Sequence, residues 1–328
     1  MKNVKWGLIG CGDIARKRVA PGIRDAVNSR LIAVNRSDYA KAESFAKEFG
    51  AEKWVADWKD LISDNAIDAV YLATPVHLHA KQTVAAAEAG KHILCEKPMA
   101  ISTGDADKMI DACKANNVKL GVAFYRNLFP AIHRIKKIIS DREIGKVVLI
   151  QSNNFENFNR NPGDPRYWLL DKKRSGGGPM MDMGCHRIEV FVHILGPVQQ
   201  VTGFNDNTYF KRDVEDLSIA HFKFENGAAG ILTSAHAAKE PRDTLDIYGS
   251  EGSIHVPVLN AGTITIITDK GTRVEEYPNH SNVHLPLIEN FADSVIHDKE
   301  PAVTGKMGRE ITRILDTIYG RKPGLKAL

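Results

Sequence analysis

Short apolar runs alternate with amphipathic stretches over the first third of the chain. Val4–Ile9, Leu31–Val34, Ala69–Ala73, His92–Cys95 and Lys119–Ala123 are mostly apolar. Between them lie KAESFAKEFG, AKQTVAAAEAG and ADKMIDACKANN, which repeat with helical period; glycines Gly50 and Gly90 close the first two. Strands without polar alternation are buried on both faces, as in a parallel sheet with crossover helices. Residues 1–123 are therefore predicted to form a doubly wound α/β domain. After that the rhythm changes. One helix is predicted over 128–141. Then KVVLIQSNNF, QQVTGF, LSIAHFKF, AAGILTSAHAA, TLDIYG and TITIIT supply strand patterns, with turns such as Glu225-Asn226-Gly227 between them. Helical patterns remain in MGCHRIEVFVHIL, PLIENFADSVIHD and GREITRILDTIYG. Clustered strands of this kind predict a second α/β domain over 124–328, an open, mostly antiparallel or mixed sheet with helices on one face. No internal repeat or low-complexity linker interrupts the chain.

Composition narrows the class. In 328 residues, 43% are hydrophobic and 26% charged, the proportions of a globular protein, not a disordered or fibrous one. Length alone predicts about two domains. No apolar run approaches the roughly 18 residues that a membrane span needs. The opening MKNVKWGLIG turns to glycine too soon for a secretory signal. The four cysteines (Cys11, Cys95, Cys113, Cys185) contain no C-x-x-C pair, which points to a reducing cytoplasm and away from structural zinc. Lys plus Arg total 44 against 40 Asp plus Glu, a formal charge of +4. So small a surplus gives no nucleic-acid surface; charge matters here only by position.

The first chemical motif is Gly10-Cys11-Gly12-Asp13-Ile14-Ala15, a G-x-G-x-x-A that leaves a strand and opens a helix. Gly10 suits a tight turn, Gly12 lets the backbone approach a pyrophosphate, and Ala15 lets helix and strand pack closely. The helix N-terminus, at Asp13 and Ile14, adds amides and partial positive charge for phosphate. Alone, such a pattern is only a tight turn; in a strand–turn–helix it predicts a Rossmann dinucleotide site. The next checkpoint is the end of the second strand, where an acid would grip the ribose of NAD. Here Arg36 and Ser37 stand instead. An arginine pairs with a 2′-phosphate and a serine hydroxyl donates to it, so NADP is favoured over NAD. Asp38 remains as an alternative ribose ligand, and a solvated Arg36 as the plain reading.

Two further stretches leave strand ends where doubly wound sheets bind ligands: Thr74-Pro75-Val76-His77-Leu78-His79 and Glu96-Lys97-Pro98. A lysine there hydrogen-bonds a substrate oxygen and stabilises developing negative charge. In the second domain, Gly176-Gly177-Gly178 precedes Asp182 and His186, four residues apart and on one face if the segment is helical. Histidine suits proton exchange with a hydroxyl. A metal pair is the alternative reading, without a third ligand at useful spacing. Asn153, Asn154, Phe155, Asn157 and Arg160 form a polar-aromatic stretch suited to vicinal hydroxyls, or a solvated loop. His193, His221, His236 and His255 read as packed or surface side chains.

Taken in order, GLIGCGDIA, ATPVHLHA, AGKHILCEKPMA and SGGGPMMDMGCH resemble the Gfo/Idh/MocA family of NAD(P)-dependent oxidoreductases, as do FYRNLFPAIHRIKKIISDREIGKV and TLDIYGSEGSIHV. The resemblance spans essentially the whole chain. It implies a Rossmann domain followed by a substrate domain whose open sheet makes a homodimer or homotetramer. It implies sugars, polyols or their derivatives as substrates, held between the domains. By position, Lys97 matches the family's EKP lysine, and Asp182 and His186 its D-x-G-x-H motif. Thr74, Pro75, His79 and Glu96 match positions lining the nicotinamide. Tyr125 and Arg126 match an aromatic-basic pair near substrate and cofactor. Trp168 matches the tryptophan of W-R-L-D-x-x-x-x-GGG, where this chain has Leu169 in place of arginine. The expected reaction is hydride transfer between nicotinamide and a secondary alcohol or ketone, with Lys97, Asp182 and His186 catalytic and Tyr125, Asn154 and Trp168 at the substrate. A glycosidase working by transient oxidation on bound NAD, and a non-catalytic sugar or cofactor sensor, are the alternatives.

Overall fold

The apolar runs of the first third become one parallel sheet of β1 (Val4–Ile9), β2 (Ser29–Asn35), β3 (Lys53–Val55), β4 (Ala69–Leu72), β5 (His92–Cys95) and β6 (Leu120–Val122). The order is β3-β2-β1-β4-β5-β6 with every neighbouring pair parallel. Strand order reverses between β1 and β4, the switch point beyond which such sheets bind ligands. In this computed structural model, which describes residues 2–321, β1 and β4 are buried almost throughout, as strands covered on both faces must be. The partly exposed edge strand β3 carries too little apolar pattern to be announced by the sequence. The helix Tyr39–Phe49 starts at Asp38, whose carboxylate accepts the Lys41 amide, and stops at a left-handed Gly50.

The chain divides into two compact units. The first comprises the residues up to Tyr125 together with His280–Arg309. That second stretch falls within the 124–328 domain expected from sequence, yet it belongs to the first unit for a packing reason. The helix Leu285–Ile296 sets the Phe291 ring 5.7 Å from Trp6 of β1. A Cβ on Gly121 would lie 2.7 Å from Phe291, so only glycine lets the ring in. The Val122 amide donates to the Val303 carbonyl at 3.1 Å. Burial of a side chain such as Phe291 contributes about 1.5–3 kcal/mol.

The second unit comprises Arg126–Asn279 and the residues from Glu310 onward. Its sheet contains β7 (Val147–Asn157), β8 (Val198–Asp206), β9 (Leu217–Phe224), β10 (Ala229–Ala235), β11 (Ala237–Asp243), β12 (Leu245–Gly249), β13 (Gly252–Val256), β14 (Thr263–Thr268) and β15 (Gly271–Glu276). The order is β15-β14-β13-β12-β7-β10-β9-β8, with β11 also paired to β7. Only β7 and β10 run parallel; the sheet is mixed. Burial alternates along β9 and β10, the sign of a sheet with one covered face. The helix Cys185–Leu195 packs on β10, and the helix Pro130–Ser140 packs on that helix. Val148, Tyr248, Ile267 and Val274 are exposed. Among the described residues no helix is long and apolar enough to cross a membrane.

Candidate active site

In the first unit the expected cofactor residues gather at the carboxyl ends of β1, β4 and β5. Gly10 has φ +97°, and a Cβ there would lie 2.7 Å from the Ala73 carbonyl oxygen. Glycine alone meets both demands. Gly12 has nothing within 4 Å of the place where a Cβ would sit, so its flank is open. That combination fits a pyrophosphate approaching the backbone. Asp13 and Ile14 are exposed at the helix start, and Ala15 is fully buried behind them. Ala15–Val19 then form a π turn, a distortion that gathers at functional positions. Burial pushes the Cys11 thiol up to about 12, which leaves it unreactive.

Arg36 Nη1 donates to the Cys11 carbonyl at 2.8 Å, tying the guanidinium to the glycine turn. Ser37 is exposed beside it. Asp38, the alternative ribose ligand, is engaged: it caps its helix and pairs with Lys41 Nζ at 2.7 Å. The Asn35 amide donates to the carbonyls of Val55 and Ala56.

Two buried side chains organise the remaining strand ends. His79 Nε2 lies 2.8 Å from the Thr74 carbonyl, while Nδ1 faces those of Pro98 and Met99 at 3.1 and 3.3 Å. The imidazole joins the turn after β4, which Pro75 leads into, to the turn that carries Lys97. Glu96 Oε1 accepts from Tyr71 Oη at 2.8 Å and lies 3.3 Å from His284 Nε2, and Oε2 accepts the Lys97 amide at 3.2 Å. Burial opposes the Glu96 charge, but His284, Lys97 and Tyr71 together hold the carboxyl below its usual value. Lys97 itself is half-buried. The Tyr125 ring packs 4.8 Å from His284. Sequence reasoning passed over Tyr71 and His284. Tyr71 sits inside an apolar run, and His284 is 188 residues from Glu96, so no local signal joined them.

The second unit holds the other half of the expected site. Gly176–Gly178 lead into a second π turn, Met180–Gly184, followed by the α-helix Cys185–Leu195. Asp182 and His186 thus stand either side of a π-to-α junction, where the sequence suggested one uniform helix. His186 is 6% exposed. Asp182 lies 3.6 Å from Arg166 Nη2, which is equally far from Glu156. The Arg166 guanidinium sits over Phe158 at 4.6 Å. Trp168 packs on a cluster of Phe158, Leu169, Leu170 and Val214. Leu169 is therefore apolar packing, and the arginine beside Asp182 is Arg166. Asn154 is buried on β7, in register with Ser234 of β10; the stretch read as a site or a loop is strand as far as Asn157. Arg126 is buried, and its charge bears on Glu189.

Both parts of the chain match known families. A family model described as "Oxidoreductase family, NAD-binding Rossmann fold" matches residues 4–124, and one for the GFO/IDH/MocA C-terminal domain matches 132–255. The chain is 31% identical to Oxidoreductase P35 of Formosa agariphila, over 97% of this chain and 99% of that protein. It is 28% identical to the 1,5-anhydro-D-fructose reductase of Ensifer adhaerens, over 93% and 92%. A levoglucosan dehydrogenase solved with NADH superposes with TM-score 0.86 at 25% identity, over 97% and 96%.

The helix that carries His186 continues into a second buried polar group. The Asn127 amide donates to Glu189 Oε1 at 2.7 Å and lies 2.9 Å from His193 Nδ1. Burial pushes Glu189 up to about 8, against Asn127, Arg126 and Lys136. Burial, with Lys136 and His133, pulls His193 down to about 4. A raised carboxyl keeps its proton in the folded state where the unfolded chain has lost it. Its stabilising effect is complete below the usual value of 4.5 and is lost as pH rises toward 8. His193 acts in the opposite sense, and only up to its usual 6.5. Between pH 6.5 and 8, Glu189 alone of the two contributes, and stability should fall by about 1.4 kcal/mol per pH unit. Glu189→Gln should flatten that fall. Denaturant unfolding of both proteins at the two pH values reads it, and equal slopes would refute a neutral Glu189.

Proposed function

The chain belongs to the Gfo/Idh/MocA oxidoreductase family, and from that premise we propose that it moves a hydride between a nicotinamide cofactor and a secondary alcohol, or the matching ketone, of a sugar or polyol. The reading rests above all on the glycine turn after β1, closed at Gly10 and open at Gly12. Gly10, Gly12, Asp13 and Ile14 would hold the pyrophosphate, and Thr74, Pro75, His79, Glu96 and Arg126 would border the nicotinamide. Relatives named for 1,5-anhydro-D-fructose and levoglucosan support a sugar-like substrate. Tyr125, Asn154 and Trp168 would contact it.

When bound, the cofactor supplies the hydride donor or acceptor. This chain supplies the rest. Lys97 donates to the substrate oxygen and stabilises negative charge there. His186 takes or returns the hydroxyl proton. Asp182 accepts a hydrogen bond that fixes the histidine and substrate relative to one another. Glu96 orients Lys97 through its backbone amide. Lys97→Ala and His186→Ala should each lower kcat by about 10²–10⁴-fold while cofactor affinity is kept. Turnover near wild type in both variants would remove these assignments.

NADP(H) is the preferred cofactor in this reading. Arg36 is anchored at the glycine turn, Ser37 is exposed, and Asp38 is already a helix cap. A 2′-phosphate suits that set, and Asp38, which could hold a ribose 2′-hydroxyl, is engaged with Lys41. Arg36→Asp should reverse the preference toward NAD(H). Titration of both cofactors against both proteins measures it, and an unchanged ratio counts against NADP(H).

The exposed apolar side chains Val148, Tyr248, Ile267 and Val274 support a homodimer or homotetramer through the nine-stranded sheet. Light scattering should give the mass of two or four chains; a single-chain mass at micromolar concentration overturns it. All four cysteines are buried and none forms a disulfide, which supports the cytoplasm as the compartment.

A further inference from the structure

We propose that His236 is a specificity-determining residue, whose Nε2–H donates to a hydroxyl or carbonyl oxygen of the sugar-like substrate away from the reacting carbon. The inference rests on the oxidoreductase reading above and deepens it. His236 follows β10 and is fully buried. Arg212 Nη2 lies 3.0 Å from its Nδ1. A guanidinium has only donors, so Nδ1 must accept. In the neutral ring the one N–H is then at Nε2. That assignment is held from several sides. Arg212 also donates to the carbonyls of Phe158, Glu215 and Val214 at 2.9, 3.1 and 3.4 Å. The His236 amide donates to the Asp216 carbonyl, and its own carbonyl accepts the Phe158 amide, both at 2.8 Å. The Phe158 ring packs 4.8 Å away. The ring's direction is fixed, and yet Nε2 has no hydrogen-bond partner among the described residues.

A buried N–H without a partner is rare and calls for a cause. Two neighbouring groups share the condition. Asn154 Oδ1 and Ser234 Oγ are also buried without partners among the described residues. Ser234 pairs in register with Asn154, and it precedes His236 by two residues. Ser234 Oγ lies 3.0 Å from the position a Cβ on Gly184 would take, within the π turn that carries Asp182. A donor, an acceptor and a hydroxyl therefore stand beneath the Asp182–His186 segment, a set that matches vicinal hydroxyls. The charges that bear on His236 are Asp182, Arg212, Arg166 and Asp216. Burial dominates them and pulls the imidazole down to about 4, so the ring stays a neutral donor across the ordinary working range. Above lies Arg166, stacked on Phe158 and 3.6 Å from both Asp182 and Glu156. Its side chain is partly exposed.

The test compares wild type, His236→Phe and His236→Gln by steady-state kinetics on a polyol that the wild type accepts. Phenylalanine keeps the stack on Phe158 and removes the donor, whereas glutamine can present an amide N–H in place of Nε2–H. His236→Phe should raise KM about 10- to 100-fold, with kcat within about threefold and cofactor affinity unchanged. His236→Gln should recover most of the loss. The wild type should reject the deoxy analogue lacking the recognised hydroxyl, and His236→Phe should not. A folded His236→Phe with the wild-type KM, or a glutamine variant as impaired as the phenylalanine one, overturns the inference and leaves the oxidoreductase reading standing. A wild type that turns over no sugar or polyol overturns that reading, and this inference with it. Should His236→Phe fail to fold, ¹⁵N-histidine NMR of the wild type decides. The inference requires a proton on Nε2 and a shift of that resonance on adding the polyol; a proton on Nδ1, or no shift at saturation, overturns it.

Discussion

Much of the first unit is arranged around one buried carboxylate. Glu96 sits at the end of β5, where an unpaired charge would cost several kcal/mol. It is tolerated because Tyr71 of β4 donates to it, the Lys97 amide donates to it, and His284 lies against it. Tyr71 comes from the sheet and Lys97 from the turn just after β5. The third comes from a stretch that rejoins the first unit after the whole second sheet has been laid down. The return of residues 280–309 is thus required twice, by the apolar packing of Phe291 on Trp6 and by the need of Glu96 for His284. The same carboxylate fixes the backbone of the residue assigned to hold the substrate oxygen. Fold and chemistry meet in a single group.

Each unit carries candidate residues on a helix that begins irregularly. Ala15–Val19 follow the glycine turn as a π turn, and Met180–Gly184 precede His186 as another. A π turn costs hydrogen-bond quality and persists where its neighbours hold it. Those neighbours are visible in the second case. A Cβ on Gly184 would meet Met180 and Ser234, and one on Gly178 would fall 2.1 Å from the Glu215 carbonyl oxygen. Gly178 and Gly184 are therefore set by close approach to the Glu215 carbonyl and to Ser234 of β10, and they bracket the turn that carries Asp182.

What could be read from sequence is what short spacing encodes. Gly10 and Gly12 lie two residues apart, Lys97 follows a strand end, and Asp182 and His186 are four residues apart. Parallel and mixed sheets were legible because burial on two faces or on one leaves different apolar patterns. What escaped needed long-range contact. Tyr71 looks like core because it is core, and only the fold places Glu96 against its hydroxyl. His236 reads as a packed histidine and is one. That Arg212 occupies its Nδ1, and so sets where its proton resides, depends on a pairing that no local pattern records. The stretch around Asn154 was ambiguous for a related reason: amides and an arginine mask strand alternation that pairing with β10 stabilises.

The departure at Leu169 takes on meaning once its surroundings are known. A residue facing Phe158, Leu170 and Val214 sits in an apolar cluster, and an arginine there would leave a charge without water or partner. Trp168 and Leu169 together make the floor on which Phe158 rests. Phe158 in turn carries Arg166 on one contact and His236 on another. The positive charge near Asp182 thus comes from Arg166, held by stacking and two long ion pairs. Arg166 is thus partly exposed and charged, whereas His236 beneath it is buried and neutral. In this chain the apolar residue at 169 helps to fix a buried, uncharged donor under a partly exposed cation, an arrangement suited to discriminating among hydroxyl patterns.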